Sequence, residues 1–349
     1  MLRIIHAADL HLDSPFASLP PAQAVQRRRQ QRQILQEITE LCQIADLVLL
    51  AGDVFDDRQV CPETVELMQS LFAQWQLPVF IAPGNHDPYT AQSLWARTIW
   101  PDNVHIFTED LDVVELPHLR CRVWGAAFRG REAEDLLRPI SRAHDGWLEI
   151  GVFHGDPVYD SPYHPISRET IRSCGLDYLA LGHIHKCQLP QQLGRTCYGW
   201  PGAAMGRGFD ETGEKGLFLV ALDRGVCETK FIPLSQPRYE IWKTDVQNLE
   251  VPPEYVQTIC RLILTGESEP VDLQALHERL ADQFLSLEIR DETEPPQDLW
   301  KDCDRSTLRG LTMSALKVRL DAAETQEQRQ LVTMAARYAL AALEGREQP

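Results

Sequence analysis

The chain of 349 residues is 44% hydrophobic, 24% charged and carries 20 Gly and 23 Pro, a composition that excludes disordered, collagen-like and coiled-coil classes. Its length argues for roughly two domains. Lys and Arg number 34 against 51 Asp and Glu, a net charge of −17, which disfavours whole-surface attraction to nucleic acid or membrane. The excess of acid is spread along the chain, with 21 basic against 30 acidic residues up to Ser235 and 13 against 21 beyond it, so any phosphate binding has to be local.

The opening stretch Met1 to Asp9 is apolar for only a few residues before His6 and Asp9 interrupt it, so it reads neither as a signal peptide nor as a membrane span. Short apolar runs then predict buried strands at Leu2 to Ala7, Leu47 to Ala51, Val79 to Ala82, Val104 to Phe107, Arg122 to Ala126, Ile150 to Phe153, Tyr178 to Leu181, Cys197 to Trp200, Gly216 to Leu222 and Thr229 to Ile232. Helical patterns over Pro21 to Gln43 and Pro62 to Gln74 separate the first strands, which implies parallel pairing with right-handed crossovers. The later strands are joined by turns, as in an antiparallel or mixed second sheet. The fold class expected is α/β, two sheets in layers with helices outside.

From Arg238 the pattern changes to strand (Arg238 to Val246), strand (Val256 to Thr265), helix (Asp272 to Phe284) and strand (Leu285 to Arg290), a small α+β appendage. Asp291 to Pro296 reads as a linker. Beyond it, Leu308, Leu311, Ala315, Val318 and Ala322, then Leu331, Ala335, Tyr338 and Ala342, fall at steps of three and four, predicting two amphipathic helices packed as a hairpin. The domains expected are therefore 1–235, 238–290 and 297–349.

Nine Cys with no CxxC spacing support neither a disulfide framework nor a zinc ribbon, so reduced thiols in a cytoplasmic protein are expected. Ten of the eleven His precede residue 186. Five strand-like runs end in groups able to bind metal: Asp9-Leu10-His11, Gly52-Asp53, Gly84-Asn85-His86-Asp87, His154-Gly155 and Gly182-His183-Ile184-His185. In a parallel layered sheet the carboxyl ends of neighbouring strands face one crevice, and residues i and i+2 of an extended segment point the same way. The donors are oxygen and imidazole without thiolate, which suits Mn, Fe or Zn. His6 lies inside a strand and reads as a core or edge residue, His105, His118, His144, His164 and His277 lack motif context, and Arg27-Arg28-Arg29 with Arg32 read as a solvated helix face in preference to a contact with a nucleic-acid backbone. The segment Gly208 to Lys215 is no Walker loop, because no Lys follows the second Gly and acidic residues stand where phosphate oxygens would lie.

This series resembles the calcineurin-like metallophosphoesterase superfamily over residues 1 to about 235. Within it, Ile5 to Phe16, Gly52-Asp-Val-Phe-Asp56, Gly206 to Gly216, Leu308-Arg-Gly-Leu311 and Ala342-Leu-Glu-Gly345 resemble bacterial SbcD-type DNA repair exonucleases, particularly a YhaO-like branch. The resemblance implies a four-layer α-β-β-α sandwich of two mixed sheets with a small C-terminal cap and terminal helices. It implies two divalent ions, Mn2+ foremost with Fe or Zn as alternatives. One would be held by Asp9, His11, Asp53 and His185, the other by Asp53, Asn85, His154 and His183, with Asp53 bridging. His86 would protonate the leaving oxygen, Asp87 either orients that imidazole or caps the following loop, and Arg207 contacts substrate. The implied activity is DNA phosphodiester hydrolysis, working with a separate SbcC-type coiled-coil ATPase. A homodimer, a phosphatase or small-molecule phosphodiesterase activity, and a non-catalytic scaffold stay open as alternatives.

Overall fold

A computed structural model describes residues 1–17, 19–56, 60–143, 145–158, 160–268, 270–294, 299–301, 303 and 306–343. His144, residues 295–296 of the expected linker and residues 344–345 of the C-terminal motif lie outside them. Two six-stranded mixed sheets carry the fold. The first runs β12-β11-β1-β2-β3-β4, from β1 (Leu2–Ala7), β2 (Leu47–Leu50), β3 (Val79–Ile81), β4 (Val104–Ile106), β11 (Gly216–Asp223) and β12 (Val226–Pro233). Strands β1 to β4 are parallel and β11 joins β1 antiparallel.

The second sheet runs β5-β6-β7-β8-β10-β9, from β5 (Asp112–Leu116), β6 (Cys121–Gly125), β7 (Leu148–His154), β8 (Tyr178–Gly182), β9 (Gln188–Leu193) and β10 (Thr196–Trp200). Its interior strands are parallel and its two edges antiparallel. The edges are the strands the sequence reading lacks, because Asp112–Leu116 and Gln188–Leu193 present no continuous apolar run, and Pro190 is tolerated only where no ladder bond is needed.

Alternation along each strand sets the layers. Ile5, Ala7, Val48, Leu50, Val79 and Ile81 face α1 (Pro21–Cys42) and α2 (Pro62–Trp75), packing on Ile34, Leu35, Ile38, Met68 and Phe72. Their in-between neighbours Leu2, Ile4, Leu47, Leu49 and Phe80 face the other sheet and meet Val123, Ile150, Val152, Tyr178 and Ala180. The far face of the second sheet, with Phe153, Leu179 and Leu181, is covered by Ile171 of α4 (Arg168–Ser173) and by Leu136 and Leu137. Each such fully buried side chain contributes about 1.5–3 kcal/mol. The layering is therefore α-β-β-α, and both helices on the first sheet start with proline in the first turn, where its missing N–H costs nothing. A four-residue helix, α3 (Leu94–Arg97), follows β3 and buries Trp95.

Further along come β13 (Tyr239–Asp245), β14 (Ile259–Thr265), α5 (Leu273–Leu280) and β15 (Ser286–Asp291), the strands forming a three-stranded sheet in that order. The expected helix to Phe284 stops early and passes into a 3-10 turn over Ala281–Gln283. The chain divides into two compact units, one of Met1–Ile241, Pro252–Arg261 and Ala281–Leu287, the other of Trp242–Val251, Leu262–Leu280 and Glu288–Pro349.

Helices α6 (Leu308–Asp321) and α7 (Gln326–Leu343) follow, and Thr307 caps α6 by accepting the Gly310 N–H at 3.0 Å. The hairpin forms, but not through the expected stripes. Met313, Ala336, Leu340 and Leu299 make its core, while Leu308, Leu311, Val318, Leu331 and Tyr338 are 58–71% exposed. Among the described residues no helix is long and apolar enough to cross a membrane.

Candidate metal centre

The seven residues that the resemblance implies as ligands converge where strand ends of the two sheets meet. Asp9 and His11 follow β1, Asp53 follows β2, Asn85 follows β3, His154 ends β7, and His183 and His185 follow β8. The backbone leaves β1, β2 and β8 in an uncommon way: Asp9, His11, Asp53 and His183 all have positive φ, at 50°, 44°, 49° and 97°. Such conformations cost on the order of 1–3 kcal/mol apiece and persist only where the surroundings hold them. Cross-sheet bonds do so here, since the His183 N–H donates to the Asp9 carboxylate at 3.1 Å and His154 Nδ1 lies 2.9 Å from the Ala51 carbonyl. The motif glycines permit the crowding. A Cβ at Gly52 would overlap the His154 ring, and one at Gly84 the Asp53 carboxylate.

Two groups of donors share Asp53. Its Oδ2 lies 3.9 Å from His11 Nε2 and 3.3 Å from His154 Nε2. On one side His11 Nε2 and His185 Nε2 face each other at 3.0 Å, with Asp9 Oδ1 3.9 Å from the latter. On the other, Asn85 Oδ1 is 2.9 Å from His154 Nε2 and 3.2 Å from His183 Nδ1. The sets Asp9–His11–His185 and Asp9–Asp53–His154 each bring one ligand atom per residue within 4.8 Å of the others.

The ring nitrogens behind these donors are tied. The Nδ1 of His154 is bonded to the Ala51 carbonyl and that of His185 lies 2.7 Å from Glu211 Oε1, whereas that of His11 lies 2.9 Å from Asp56 Oδ1 as an ion-pair contact without hydrogen-bond geometry. A proton held on Nδ1 leaves a lone pair on Nε2, the tautomer a metal requires. Electrostatics show a separate demand for positive charge, which an imidazolium meets in the metal-free protein and a cation would meet in its place. Burial opposes charge on His154, yet the Asp53 and Asp9 carboxylates override it and carry the imidazole up to about 9. Burial would likewise raise Asp53, but His154 and His11 hold it well below the usual carboxylate range. The pocket thus draws positive charge to the point between its carboxylates. Oxygen and neutral-imidazole donors around that point fit divalent cations.

His86 is the neighbour expected to act on substrate. Its N–H donates to Asp53 Oδ1 at 2.9 Å, its Nδ1 lies 3.0 Å from the Asp56 carbonyl, and its side chain is 44% exposed. Asp87 does not orient that ring. Its carboxylate accepts the N–H groups of Gly84 at 2.7 Å, Val54 at 2.8 Å, Asp53 at 3.2 Å and Phe55 at 3.3 Å, fastening the β2 and β3 exits together. Burial and the Asp53 charge push its pKa upward.

Arg207, expected on substrate, instead faces two carboxylates, Asp56 Oδ1 at 2.6 Å and Glu211 Oε1 at 3.0 Å. Arg27 is buried rather than solvated, and its Nη2 donates to the Gly206 carbonyl at 2.8 Å. Arg32 pairs with Asp13 at 2.9 Å. Sequence reasoning assigned no role to Asp56 or Glu211; the only signal for Asp56 is its place three residues after Asp53 in Gly-Asp-Val-Phe-Asp. His6 and His164 are structural. The former bridges Tyr178 Oη at 2.8 Å and the Leu181 carbonyl at 3.1 Å, and the latter accepts the Leu137 N–H at 2.9 Å.

Residues 2–187, more than half of the chain, match the calcineurin-like phosphoesterase family, and the chain belongs to it. That makes it a metal-dependent phosphoester hydrolase by class. A curated relative, the "Uncharacterized metallophosphoesterase YhaO" of Bacillus subtilis (strain 168), is 28% identical over 331 residues, 86% of this chain and 80% of that protein. Among solved structures, a single mutant of Vps29 from Entamoeba histolytica aligns at 13% identity and a TM-score of 0.31, covering 67% of this chain and 100% of that one. Vacuolar Protein Sorting 29 from Cryptosporidium parvum aligns at 15% identity and a TM-score of 0.32, covering 67% and 98%.

Proposed function

We propose that the protein is a two-metal phosphodiesterase whose substrate is DNA, with Mn2+ as its metal. The observation that carries the two-metal part is the position of Asp53, one carboxylate between two separate groups of imidazole and oxygen donors. Two cations a few ångströms apart need such a shared anion to offset their repulsion, and a pair of them supplies charge neutralisation of the phosphate and an activated water. Asp9, His11 and His185 would hold one, Asn85, His154 and His183 the other.

The chain's own residues account for the rest of the chemistry. With Nδ1 of His86 turned to the Asp56 carbonyl, Nε2 is the ring nitrogen left for a leaving oxygen, which the imidazolium protonates. Beside His86 lies a cavity of about 320 Å3 lined by Phe55, Thr90, Ser93 and Arg97. The exposed Arg97 on that wall is the cation assigned to a further phosphate of the substrate. The motif resemblance to SbcD-type exonucleases supports DNA over a small phosphomonoester, and a coiled-coil ATPase of the SbcC type is the partner it supports.

The test is release of nucleotides from end-labelled DNA with Mn2+, by wild type and Asp53→Ala. Manganese-dependent release that the substitution abolishes supports the reading. Activity confined to p-nitrophenyl phosphate esters overturns the DNA assignment.

A further inference from the structure

We infer that Glu211 and Arg207 are positioning residues for one of the two cation positions, the one faced by Asp9, His11 and His185. This rests on the two-metal reading above. Both residues lie beyond residue 187, outside the stretch that matches the family.

The side chains form a closed circuit. His11 and His185 approach through Nε2 at 3.0 Å in front. Behind them Asp56 lies 2.9 Å from His11 Nδ1, and Glu211 lies 2.7 Å from His185 Nδ1. One guanidinium closes the gap between these carboxylates, with Arg207 Nη1 2.6 Å from Asp56 Oδ1 and Nη2 3.0 Å from Glu211 Oε1. The Arg207 N–H also donates to Glu211 Oε2 at 2.9 Å, so both Glu211 oxygens are engaged. A planar fork with several fixed N–H directions can hold two carboxylates at a set separation, which a flexible ammonium cannot.

An imidazole free to rotate presents its lone pair in the right direction only part of the time, and in the right tautomer only part of that. Anchoring Nδ1 removes both freedoms before a cation arrives. For His185 the anchor is the Glu211 carboxylate, which Arg207 ties to Asp56, the carboxylate standing 2.9 Å from His11 Nδ1 as its charge partner without hydrogen-bond geometry. The loop that carries them is itself fixed, since buried Arg27 donates to the Gly206 carbonyl at 2.8 Å and the Ala203 N–H donates to the His185 carbonyl at 3.0 Å. The other cation position is built differently. His154 takes its orientation from the Ala51 carbonyl, and no hydrogen bond or ion pair among the described residues joins 206–211 to Asn85, His154 or His183. Loss of the circuit should therefore weaken one position and spare its neighbour.

The full-length protein, stripped of metal, is titrated with Mn2+ by calorimetry and followed by electron paramagnetic resonance. Wild type takes two Mn2+ with a spin-coupled signal. In Glu211→Ala and in Arg207→Ala one Mn2+ is bound about 10- to 100-fold more weakly, the other unchanged, and the signal becomes that of isolated Mn2+. The double variant is no weaker than the worse single one, because both act through one circuit. Glu211→Gln, which keeps an acceptor for the His185 proton, recovers part of the loss, Arg207→Lys, whose ammonium cannot bridge the two carboxylates, recovers none, and this pair carries the test if the alanine variants fail to fold. Equal weakening of both positions, or two unaltered affinities, overturns the inference while leaving the two-metal reading intact. A wild type that takes fewer than two Mn2+ overturns both.

Discussion

Asp53 Oδ2 lies 3.3 Å from Nε2 of His154, with both side chains sealed from solvent, so the carboxylate between the two donor groups is held by a ring from the opposite sheet. Removing that carboxylate takes away the anion the two donor groups have in common. Asp53→Ala is expected to lower phosphodiester turnover by about 10³-fold and to leave fewer than two Mn2+ per chain. Equilibrium dialysis with elemental analysis, alongside kinetics, checks both outcomes, and a variant retaining two ions contradicts the shared-carboxylate geometry.

His86 divides binding from turnover. Its backbone N–H, not its ring, contacts Asp53, so His86→Ala preserves that bond. Turnover is expected to fall about 10²- to 10⁴-fold with Mn2+ affinity unaltered. A parallel fall in bound metal would make the ring a ligand instead of an acid.

Asp87 predicts a stability effect. Its buried carboxylate accepts four backbone N–H groups, and an amide in its place turns an NH2 toward donors. Asp87→Asn is expected to cost about 2–4 kcal/mol in urea unfolding of the metal-free protein. A variant with native stability and a shifted pH–rate profile would restore the orienting role.

His6 gives the protein an acid-sensitive core. Burial lowers its pKa from 6.5 to about 3, against the opposing bond to the Leu181 carbonyl. The folded state therefore binds fewer protons than the unfolded chain between these values. Its contribution is whole above pH 6.5 and is lost as pH falls toward 3. Between pH 7 and 5 the loss is about 2 kcal/mol. Urea melts at the two pH values measure it, and the His6 ring resonance should not titrate over that range. A ring that titrates near 6.5 in the folded protein refutes the assignment.

The legible part of the site is the set of donors at strand ends, because short continuous apolar runs locate the strands and the residues after them follow by counting. What holds those donors was not legible. The left-handed backbone at Asp9, His11, Asp53 and His183 has no compositional mark, and Glu211 reaches His185 only through folding across 26 residues. Asp87 and Arg207 sit in motif-like positions yet turn to backbone amides and to acids, a choice made by three-dimensional neighbours. The fold shows the same division. Interior strands announce themselves, whereas β5 and β9, half-exposed edges with polar sequences, do not. In the C-terminal hairpin the apolar periodicity identified both helices but not the face that packs, since two stripes of similar hydrophobicity compete for it.

That competition has a consequence for engineering the hairpin. Leu311 and Tyr338 are 64% and 58% exposed, whereas Leu340 and Met313 are 2% and 0%. Charged replacements at the first two should leave the melting temperature near its starting value and keep the protein more dispersed at high concentration. Leu340→Ala should cost about 2–5 kcal/mol locally, unravelling the tail while the catalytic sheets stay intact. The apolar stripe that the hairpin leaves exposed is thus the one that can be rewritten without cost to the fold.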